Sequence, residues 1–415
     1  MENREEHIIV VGAGIVGVST ALWLRRSGYE VTLVDRKGVA SETSYGNAGI
    51  LAGASVIPVT VPGIVAKAPK MLFSRNEPLF LKWSYLPKMI PFLARYLAHA
   101  NLKDLNRTAD GLYTLMHDTV DQHFALAKGT EAEKYIRPGV YTFGYRSEKD
   151  YQKDSLAWEV RRRLGLKDEV LGREELGKRE PAVKGVYELG VACVDQGSIS
   201  DPGAYINALC RAFEDEGGKF VLAGVENISV IDGRAKGIVT SSGKLDADHV
   251  VLTAGAWSGE FARKLGNKLP LEAERGYHVE FVNPNIKLNS VLMVTDKKFA
   301  INSMDGRLRS AGIVEFGGLK AGPSKAPIEL LKRQTLELFP TLEYDSTNEW
   351  LGYRPSTPDS LPVIGAFSNV PNVWCGFGHQ HLGLTGGPKT GRWLAQMIKG
   401  ETPNVDLKPY STSRF

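Results

Sequence analysis

The feature that most constrains this chain is a glycine pattern near its start, set between two short apolar runs. The apolar run Ile8 to Val11 is followed at once by Gly12, Gly14 and Gly17, which form a GxGxxG pattern. An apolar helical face comes next, and a second apolar run ends at Asp35. This order of strand, tight turn, helix, strand and acidic residue predicts a βαβ unit that binds a dinucleotide.

Each glycine has a separate physical role in such a unit. Gly12 makes the tight turn, Gly14 lets the backbone approach a pyrophosphate, and Gly17 lets the helix lie close to the sheet. The helix N-terminus faces the phosphates, and Asp35 can accept hydrogen bonds from a ribose diol. The predicted contacts around this turn and strand end also include Ala13, Ile15, Val16 and Arg36. The pattern leaves open whether the dinucleotide is FAD or NAD.

The composition is that of a folded globular chain. With 415 residues, 43% of them hydrophobic, the chain can bury a large core in two domains or in one large domain. Its net charge of +4 is too small and too dispersed to indicate nucleic-acid binding. Three cysteines without a CxxC pair predict neither a disulfide scaffold nor a metal site. The acidic, glycine-interrupted N-terminus resembles neither a signal peptide nor a membrane span, which predicts a cytosolic or peripheral protein.

Two further segments carry small residues where a flat ligand would approach the backbone. The first, ASETSYGNAGILAG at residues 40 to 53, follows the second strand, and an ordinary polar loop is the alternative interpretation. The second, at residues 372 to 398, predicts a short strand, a glycine-rich loop and a helix from about Pro388. Gly383, Gly386 and Gly387 would expose amides that stabilise negative charge. The candidate cofactor contacts in these segments are Ser44, Asn47, Ala48, Gly49, Ile50, Gly378, His379, Leu382, Gly383, Leu384 and Thr385.

The middle of the chain returns to strand patterns. Residues 217 to 259 predict a hairpin at Asp232 and Gly233, followed by a buried strand that ends in AGAWS beside the first nucleotide loop. Residues 63 to 190 lack this rhythm and predict amphipathic helices, so the dinucleotide domain is expected to be discontinuous. The candidate cofactor contacts in the middle of the chain are Val225, Ala254 and Gly255.

In combination, these segments resemble a known enzyme family. The N-terminal fingerprint, SYGNAG, TAGAWS, GYRPSTPD and GHQHLGLTGGPKTG occur in the order found in FAD-dependent amine and D-amino acid oxidoreductases. That family includes D-amino acid oxidase, glycine oxidase, sarcosine oxidase and the bacterial D-amino acid dehydrogenases. GNAG and GHQHLGLT are most similar to the dehydrogenase branch, which includes enzymes that act on D-hydroxyproline. The resemblance implies FAD rather than NAD.

The resemblance also implies the fold class, an α/β (α+β) chain with a Rossmann-like FAD-binding domain and a discontinuous mixed-sheet substrate domain. The FAD-binding domain is expected at residues 1–56, 196–268 and 351–405, and the substrate domain at residues 57–195 and 269–350. No internal repeat or flexible linker marks these boundaries.

Residues for the substrate are assigned by the same resemblance. Arg354 matches an arginine that binds the substrate carboxylate in the family, and a planar guanidinium offers two parallel donors to such a group. The alternative is that Arg354 pairs with Asp359 or with a helix end. Arg275 and Tyr277 match a second carboxylate-binding position, unless they lie on an outward strand face. His379 is a further catalytic candidate, although a histidine in a lone HxH pair is more often structural.

The sequence departs from the family around the substrate. Phe299 stands where the D-arginine dehydrogenases have a carboxylate-contacting tyrosine, and Asn47 stands where they use other polar groups near the flavin. No acidic residue evidently awaits a basic side chain. These departures predict a small, apolar or cyclic D-amino acid as the substrate.

The implied reaction is oxidation of the amino acid to an imino acid, by hydride transfer from Cα to flavin N5. The electrons would then pass to a quinone or another acceptor. One alternative is a proline-, hydroxyproline-, sarcosine- or glycine-type oxidase that uses oxygen. Two further alternatives are a non-catalytic flavoprotein subunit of a larger complex and an NAD-binding dehydrogenase.

A basic, aromatic segment at residues 63 to 103 stands apart from the motifs. It contains seven lysines and arginines against the single acid Glu77, interleaved with Trp83, Tyr85 and Phe92. Such a mixture suits the surface of an anionic membrane, which predicts a peripheral protein on the inner face of the cytoplasmic membrane. The alternatives are a solvated face of the substrate domain and a surface for a partner protein.

Overall fold

The N-terminal βαβ unit forms as its sequence predicts. It consists of β1 (His7–Val11), α1 (Ile15–Arg26) and β2 (Glu30–Asp35), with β1 and β2 parallel. The computed structural model describes residues 6–64 and 76–415. The other strands in these ranges are β3 Ile50–Leu51, β4 Leu79–Leu81, β5 Ile136–Tyr145, β6 Asp168–Gly172, β7 Leu189–Ile199, β8 Lys219–Leu222, β9 Val225–Ile231, β10 Arg234–Thr240, β11 Gly243–Asp246, β12 His249–Leu252, β13 Glu272–Val282, β14 Val291–Val294, β15 Phe299–Met304, β16 Arg307–Phe316, β17 Ser346–Ser356, β18 Val363–Phe367 and β19 Val370–Phe377. The other α-helices are α2 Leu86–Ala98, α3 Leu102–Met116, α4 Thr119–Ala127, α5 Glu148–Lys153, α6 Ser155–Arg163, α7 Arg173–Arg179, α8 Pro202–Asp215, α9 Ser258–Lys264, α10 Lys325–Leu338 and α11 Gly383–Ile398.

A six-stranded sheet carries the nucleotide-binding motifs. Its strand order is β18-β19-β12-β1-β2-β8, and only the edge strand β18 pairs antiparallel. Helices α1, α8 and α11 bury one face through a core that includes Leu22, Leu209 and Leu394. The three-stranded sheet β11-β10-β9 packs on the other face. The predicted hairpin is confirmed, because Asp232 and Gly233 join β9 to β10 with φ of 50° and 72°.

A ten-stranded mixed sheet forms the second layer of the molecule. Its main path is β17-β13-β16-β15-β14-β5-β7-β3, with β4 and β6 attached to β16 and β7. Helix α10 covers one face, where Val279, Phe281 and Leu331 share an apolar core. Part of the opposite face packs against Trp158 of α6, and another part lines the site described below. The α/β fold class with a mixed second sheet is therefore confirmed.

Two expectations about the middle of the chain need correction. Residues 63 to 190 are not purely helical, because β5 pairs with β7 inside the large sheet. Alternating aromatic and β-branched residues in IRPGVYTFGY supply the strand signal that the helical interpretation missed. The domain boundaries placed at 196 and 351 fall inside β7 and β17, so neither boundary separates two units of the sheet.

Candidate active site

A cavity of about 790 Å³ lies where the carboxyl ends of β1, β2 and β12 meet the open face of the ten-stranded sheet. The carboxyl ends of parallel strands are the usual ligand-binding edge of such a sheet. One part of the wall comes from the loops that follow these strands, and another comes from β13, β16 and β17. The cavity therefore joins the predicted nucleotide site to the second sheet.

The first glycine loop is fixed by close backbone contacts. Gly12 has φ of +106°, and a Cβ there would lie 2.7 Å from the Thr253 carbonyl oxygen. A Cβ at Gly17 would lie 1.7 Å from the Gly12 carbonyl oxygen, so this glycine lets α1 pack on the turn. A Cβ at Gly14 would meet only the Ser44 Oγ, at 3.0 Å. The backbone at Gly14 is thus open to a ligand in the cavity.

Asp35 is held at the end of β2 by backbone amides. Its Oδ2 accepts from Ala13 N at 2.9 Å, and its Oδ1 accepts from Lys37 N and Gly38 N at 2.8 and 3.1 Å. The guanidinium of Arg36 lies 4.1 Å from the ring centre of Trp257. These contacts fix a carboxylate and a flat cationic surface at the same end of the cavity.

The second loop folds across α1 as a polar wall of the cavity. Ser44 Oγ accepts from Ile15 N at 3.0 Å, and Asn47 Oδ1 accepts from Gly49 N at 2.9 Å. The Ala48 carbonyl oxygen accepts from Asn302 Nδ2 at 3.0 Å, which ties the loop to β15. The loop is thus held in place beside α1 and β15, and its contact with a cofactor stays a prediction.

The C-terminal glycine loop differs from its prediction in where the helix begins. Helix α11 begins at Gly383, and Pro388 lies inside it. Since proline has no N–H, the Leu384 carbonyl oxygen lacks its helical donor and instead pairs with His123 Nε2 at 2.9 Å. Gly386 and Gly387 are not exposed amides but packing positions, where a Cβ would lie 2.9 Å from Leu115 and from Ile15 respectively.

The two histidines of this loop have different surroundings. Burial lowers the pKa of His379 to about 3, and its Nε2 is 2.9 Å from the Thr390 hydroxyl of α11. This contact gives His379 a structural role, and its catalytic role stays a prediction. His381 lies in the cavity wall, where desolvation of its imidazole and then the positive charge of Arg354 lower its pKa to about 4.

Strand alternation decides which residues of the large sheet reach the cavity. Along β17, Trp350, Gly352 and Arg354 line it, and along β13, Glu274 and Gly276 do so. Successive residues of a strand point to opposite faces, so these positions share one face. The predicted cofactor contacts that line the cavity are Gly12, Ala13, Gly14, Ile15, Val16, Asp35, Arg36, Ser44, Asn47, Ala48, Ile50, Val225, Ala254, Gly255, His379, Leu382, Gly383, Leu384 and Thr385. Gly17, Gly49 and Gly378 lie behind the wall and shape its backbone.

Arg354 is the arginine that reaches the cavity from this sheet. Its guanidinium lies across Gly276, where a Cβ would be 2.4 Å from Cζ, and its Nη1 donates to the Ile313 carbonyl oxygen at 3.3 Å. The alternative partner Asp359 is already paired with Arg414 at 2.8 Å. Burial lowers the pKa of Arg354, and the nearby carboxylate of Glu274 opposes that shift.

Arg275 and Tyr277 face away from the cavity, which corrects their assignment to the substrate. Arg275 is fully buried on the opposite face of β13, and its Nε donates to Glu315 Oε2 at 2.7 Å. Its Nη atoms donate to the carbonyl oxygens of Ala321 and Gly322 at 2.5 Å. The Tyr277 hydroxyl donates to the same Glu315 oxygen at 2.7 Å. These donors are already engaged within the fold.

A comparison with known proteins agrees with this geometry. The model of the FAD dependent oxidoreductase family (DAO) matches residues 7–397. The chain belongs to that family. It is 36% identical to a protein named D-amino-acid oxidase from Bradyrhizobium diazoefficiens, with 99% of each chain covered. A second protein of that organism, named D-amino acid dehydrogenase, is 31% identical, with 98% of each chain covered.

The fold is also shared with a solved structure of low sequence identity. Glycine oxidase from Bacillus cereus has a TM-score of 0.74 at 17% identity, over 99% of each chain. Membership in the FAD-dependent oxidoreductase family makes FAD the dinucleotide. The residues present fit this cofactor, because Gly14 leaves its backbone open to the cavity and Asp35 is fixed at the end of β2.

Several residues of this oxidoreductase site escaped the sequence analysis. Glu274 and Gly276 come from β13, Trp350 comes from β17, and His381 comes from the C-terminal loop. The signal for β13 was present, because Tyr277, Val279 and Phe281 mark the odd-numbered face as apolar and the even-numbered face as polar. Phe299 lines the cavity as expected, together with Tyr141, Phe143 and Met293.

Proposed function

We propose that this FAD-dependent oxidoreductase oxidises a small, apolar or cyclic D-amino acid to the imino acid. The observation that carries the proposal is Arg354, which has no ion pair among the described residues and lies in the cavity that the nucleotide loops also line. The names of the two Bradyrhizobium relatives support a D-amino acid over other amines. When bound, FAD supplies the acceptor for the hydride.

The chain itself holds the cofactor and orients the substrate in this proposal. The loop around Gly14 and the start of α1 would hold the pyrophosphate, and Asp35 would hold the ribose. The first amides of α11, from Gly383 to Thr385, would stabilise negative charge near the flavin. Arg354 would bind the substrate carboxylate through two parallel donors.

The far wall of the cavity sets the size and polarity of the side chain. Tyr141, Phe143, Met293 and Phe299 contribute aromatic and thioether groups to this wall. A surface made mostly of aromatic and thioether groups favours an apolar or cyclic side chain, because a cation or amide loses water there with little compensation. Proline-, hydroxyproline-, sarcosine- and glycine-type substrates remain the alternatives within the same chemistry.

An anaerobic screen of flavin reduction tests the proposed function. The purified FAD-loaded protein is mixed with D- and L-amino acids, sarcosine, glycine and both hydroxyproline epimers, and the flavin absorbance is followed. The expected result is bleaching by one or more D-amino acids and none by their L-enantiomers. Absence of bleaching with every compound would favour the non-catalytic flavoprotein subunit instead.

We also propose a quinone or a similar carrier, rather than oxygen, as the electron acceptor. The chain is 31% identical to a protein named D-amino acid dehydrogenase, and this relative supports the proposal. The relative named D-amino-acid oxidase, which is 36% identical, supports oxygen instead. Substrate-reduced enzyme should therefore be reoxidised faster by a soluble quinone analogue than by air-saturated buffer. Faster reoxidation by oxygen would assign the chain to the oxidases.

A peripheral membrane contact is the final part of the proposal. Among residues 6–64 and 76–415, no helix has both the length and the apolar composition needed to cross a bilayer. Residues 65–75 of the basic segment lie outside the described residues, but Trp83 and Ile90 are 54% and 55% exposed near Lys82, Lys88 and Arg95. Anionic liposomes should therefore co-sediment the protein, and high salt should weaken the binding. If the amount of sedimented protein does not depend on lipid charge or on salt, this surface is a solvated face of the substrate domain and not a membrane contact.

A further inference from the structure

A second charged side chain, Glu274, lies in the cavity wall beside Arg354. The two residues are directly opposite each other in the antiparallel pairing of β13 and β17. Both line the cavity, although Glu274 is only 4% exposed. Burial raises the pKa of Glu274, and the charge of Arg354 opposes that shift. The cavity wall thus carries a carboxyl group and a guanidinium group at neighbouring positions on one face of the sheet.

These two charges do not neutralise each other by direct contact. Within the described residues, neither Glu274 nor Arg354 forms an ion pair within 4.0 Å. The Ser356 hydroxyl adjoins the Glu274 carboxylate, and the one protein hydrogen bond shown for the Arg354 side chain is the long one to Ile313. Enclosed charges without close partners are costly in a folded protein. Their persistence side by side points to a ligand that brings both missing charges.

We propose that Glu274 and Arg354 together recognise the zwitterion of an α-amino acid, with Glu274 receiving the amino group. This inference rests on the proposed function and assigns the second half of the same substrate site. Directly opposed residues of antiparallel strands have their Cβ atoms about 5 Å apart. The ammonium and carboxylate groups of an α-amino acid are borne by one carbon atom, so two adjacent opposite charges match them.

The same geometry argues against a basic side chain as the partner of Glu274. The distal cation of lysine or arginine is several bonds away from the carboxylate that Arg354 would hold. The backbone positions of Glu274 and Arg354 are register partners, which favours two ligand charges borne close together over two charges at opposite ends of an extended side chain. Glu274 therefore distinguishes amino acids from carboxylic acids, and not cationic from apolar side chains.

Glu274→Gln tests this inference because it removes the charge and keeps the shape. Two matched pairs of probes are used, each a D-amino acid with a carboxylate of similar shape that lacks the amine: D-alanine with propionate, and D-proline with cyclopentanecarboxylate. Carboxylate binding is read from the perturbed flavin spectrum, and amino acid binding from the concentration dependence of anaerobic flavin reduction. The expected effects have opposite signs. Binding of the amino acid weakens about ten- to hundredfold, whereas the deaminated carboxylate binds equally well or more tightly.

A matched control lies two residues away on the same strand. Glu272 is also buried, but it does not line the cavity, and it accepts a hydrogen bond from the Tyr85 hydroxyl at 2.9 Å. Glu272 acts on the Glu274 carboxylate only through its charge. Glu272→Gln should therefore change the ratio of amino acid to carboxylate affinity far less than Glu274→Gln does. Glu274→Asp, which keeps the charge, should retain part of the preference for the amino acid.

The outcomes distinguish a failure of the zwitterion site from a failure of the proposed function. Equal weakening of both probes in Glu274→Gln, or loss of FAD from that variant but not from Glu274→Asp, would overturn the zwitterion site. If no amino acid reduces the wild-type flavin, the proposed function fails. The unreduced flavin spectrum then still reports how strongly D-alanine and propionate bind, so the charge pair is tested in either case.

Discussion

The position of Arg354 depends on residues that have no side chain. Its guanidinium lies flat across Gly276, and Trp350 lies across the neighbouring Gly352, where a Cβ would be 1.8 Å from the indole ring. The two glycines are register partners on β13 and β17. A methyl group at either position would displace the charged or aromatic group above it, so both glycines preserve the shape of the substrate space.

Replacement of Arg354 should damage the binding of a carboxylate above all else. Arg354→Met is expected to cost about 2–5 kcal/mol in flavin reduction efficiency, which is roughly 30- to several-thousand-fold. Arg354→Lys should restore only part of this, because an ammonium lacks the planar fork. The measurement compares a D-amino acid with its amide at equal FAD content. Equal losses on acid and amide would show that Arg354 serves the fold.

Gly14 should be sensitive for a different reason from Gly17. A Cβ at Gly14 meets only the Ser44 Oγ, at 3.0 Å, which would have to move by a few tenths of an ångström, and the rest of the side chain would enter the cavity. A Cβ at Gly17 instead collides with the backbone of Gly12. Gly14→Val is therefore expected to fold and to purify without yellow colour. Gly17→Val is expected to be poorly folded. Circular dichroism and flavin absorbance together check both results, and full FAD retention in folded Gly14→Val would contradict the assignment.

At the scale of the element, strand β13 contributes one face to the cavity wall and the other face to the buried core of the sheet. Its odd-numbered residues, such as Arg275 and Tyr277, build a buried hydrogen-bond network with Glu315 behind the sheet. Its even-numbered residues, such as Glu274 and Gly276, form the cavity wall. A shift of one residue exchanges the two faces. The assignment of Arg275 to the substrate came from resemblance alone, which does not tell on which face of β13 its side chain lies.

Loss of Arg275 should therefore lower stability and leave ligand recognition intact. Arg275→Met leaves Glu315 as a buried carboxylate without its guanidinium, which is expected to cost about 3–5 kcal/mol of folding free energy. The melting temperature should fall clearly below that of the wild type. Folded Arg275→Met should bind the deaminated carboxylate with nearly wild-type affinity. A specific loss of carboxylate binding without a loss of stability would restore Arg275 to the substrate site.

At the scale of the whole molecule, the sequence predicts the geometry of short segments. It does not predict which segments far apart in the chain come into contact. The βαβ unit and its glycine loops follow from backbone sterics over a few residues, so Gly12, Gly14 and Gly17 were assigned correctly to their turn. The start of α11 was predicted too late in the chain, at Pro388. Proline inside a helix leaves the Leu384 carbonyl oxygen without its helical donor, and the group that replaces this donor is His123, more than 200 positions away. Glu274 was missed because its neighbour Arg354 comes from another part of the chain.

Buried histidines should make the whole fold sensitive to acid. Burial lowers the pKa of His123 to about 4 and that of His379 to about 3, from an ordinary value of 6.5. Between pH 6.5 and these values, the unfolded chain takes up protons that the folded chain does not bind. Stability is therefore complete above pH 6.5 and decreases as the pH falls, by about 1.4 kcal/mol per pH unit for each such histidine.

Thermal unfolding of the FAD-loaded protein from pH 8 to pH 4 measures this effect. The melting temperature of the wild type should decline below pH 6.5. The described residues also bury His278, whose pKa burial lowers to about 3. His123→Asn removes one of these buried histidines, so the decrease of its unfolding free energy with falling pH should correspond to about one proton fewer than in the wild type, whatever its stability at pH 8. His117→Asn is the matched control, because His117 is exposed on the surface near the same helix. If His123→Asn follows the wild-type slope, acid sensitivity arises from other groups, and the buried pair of His123 with Leu384 does not control it.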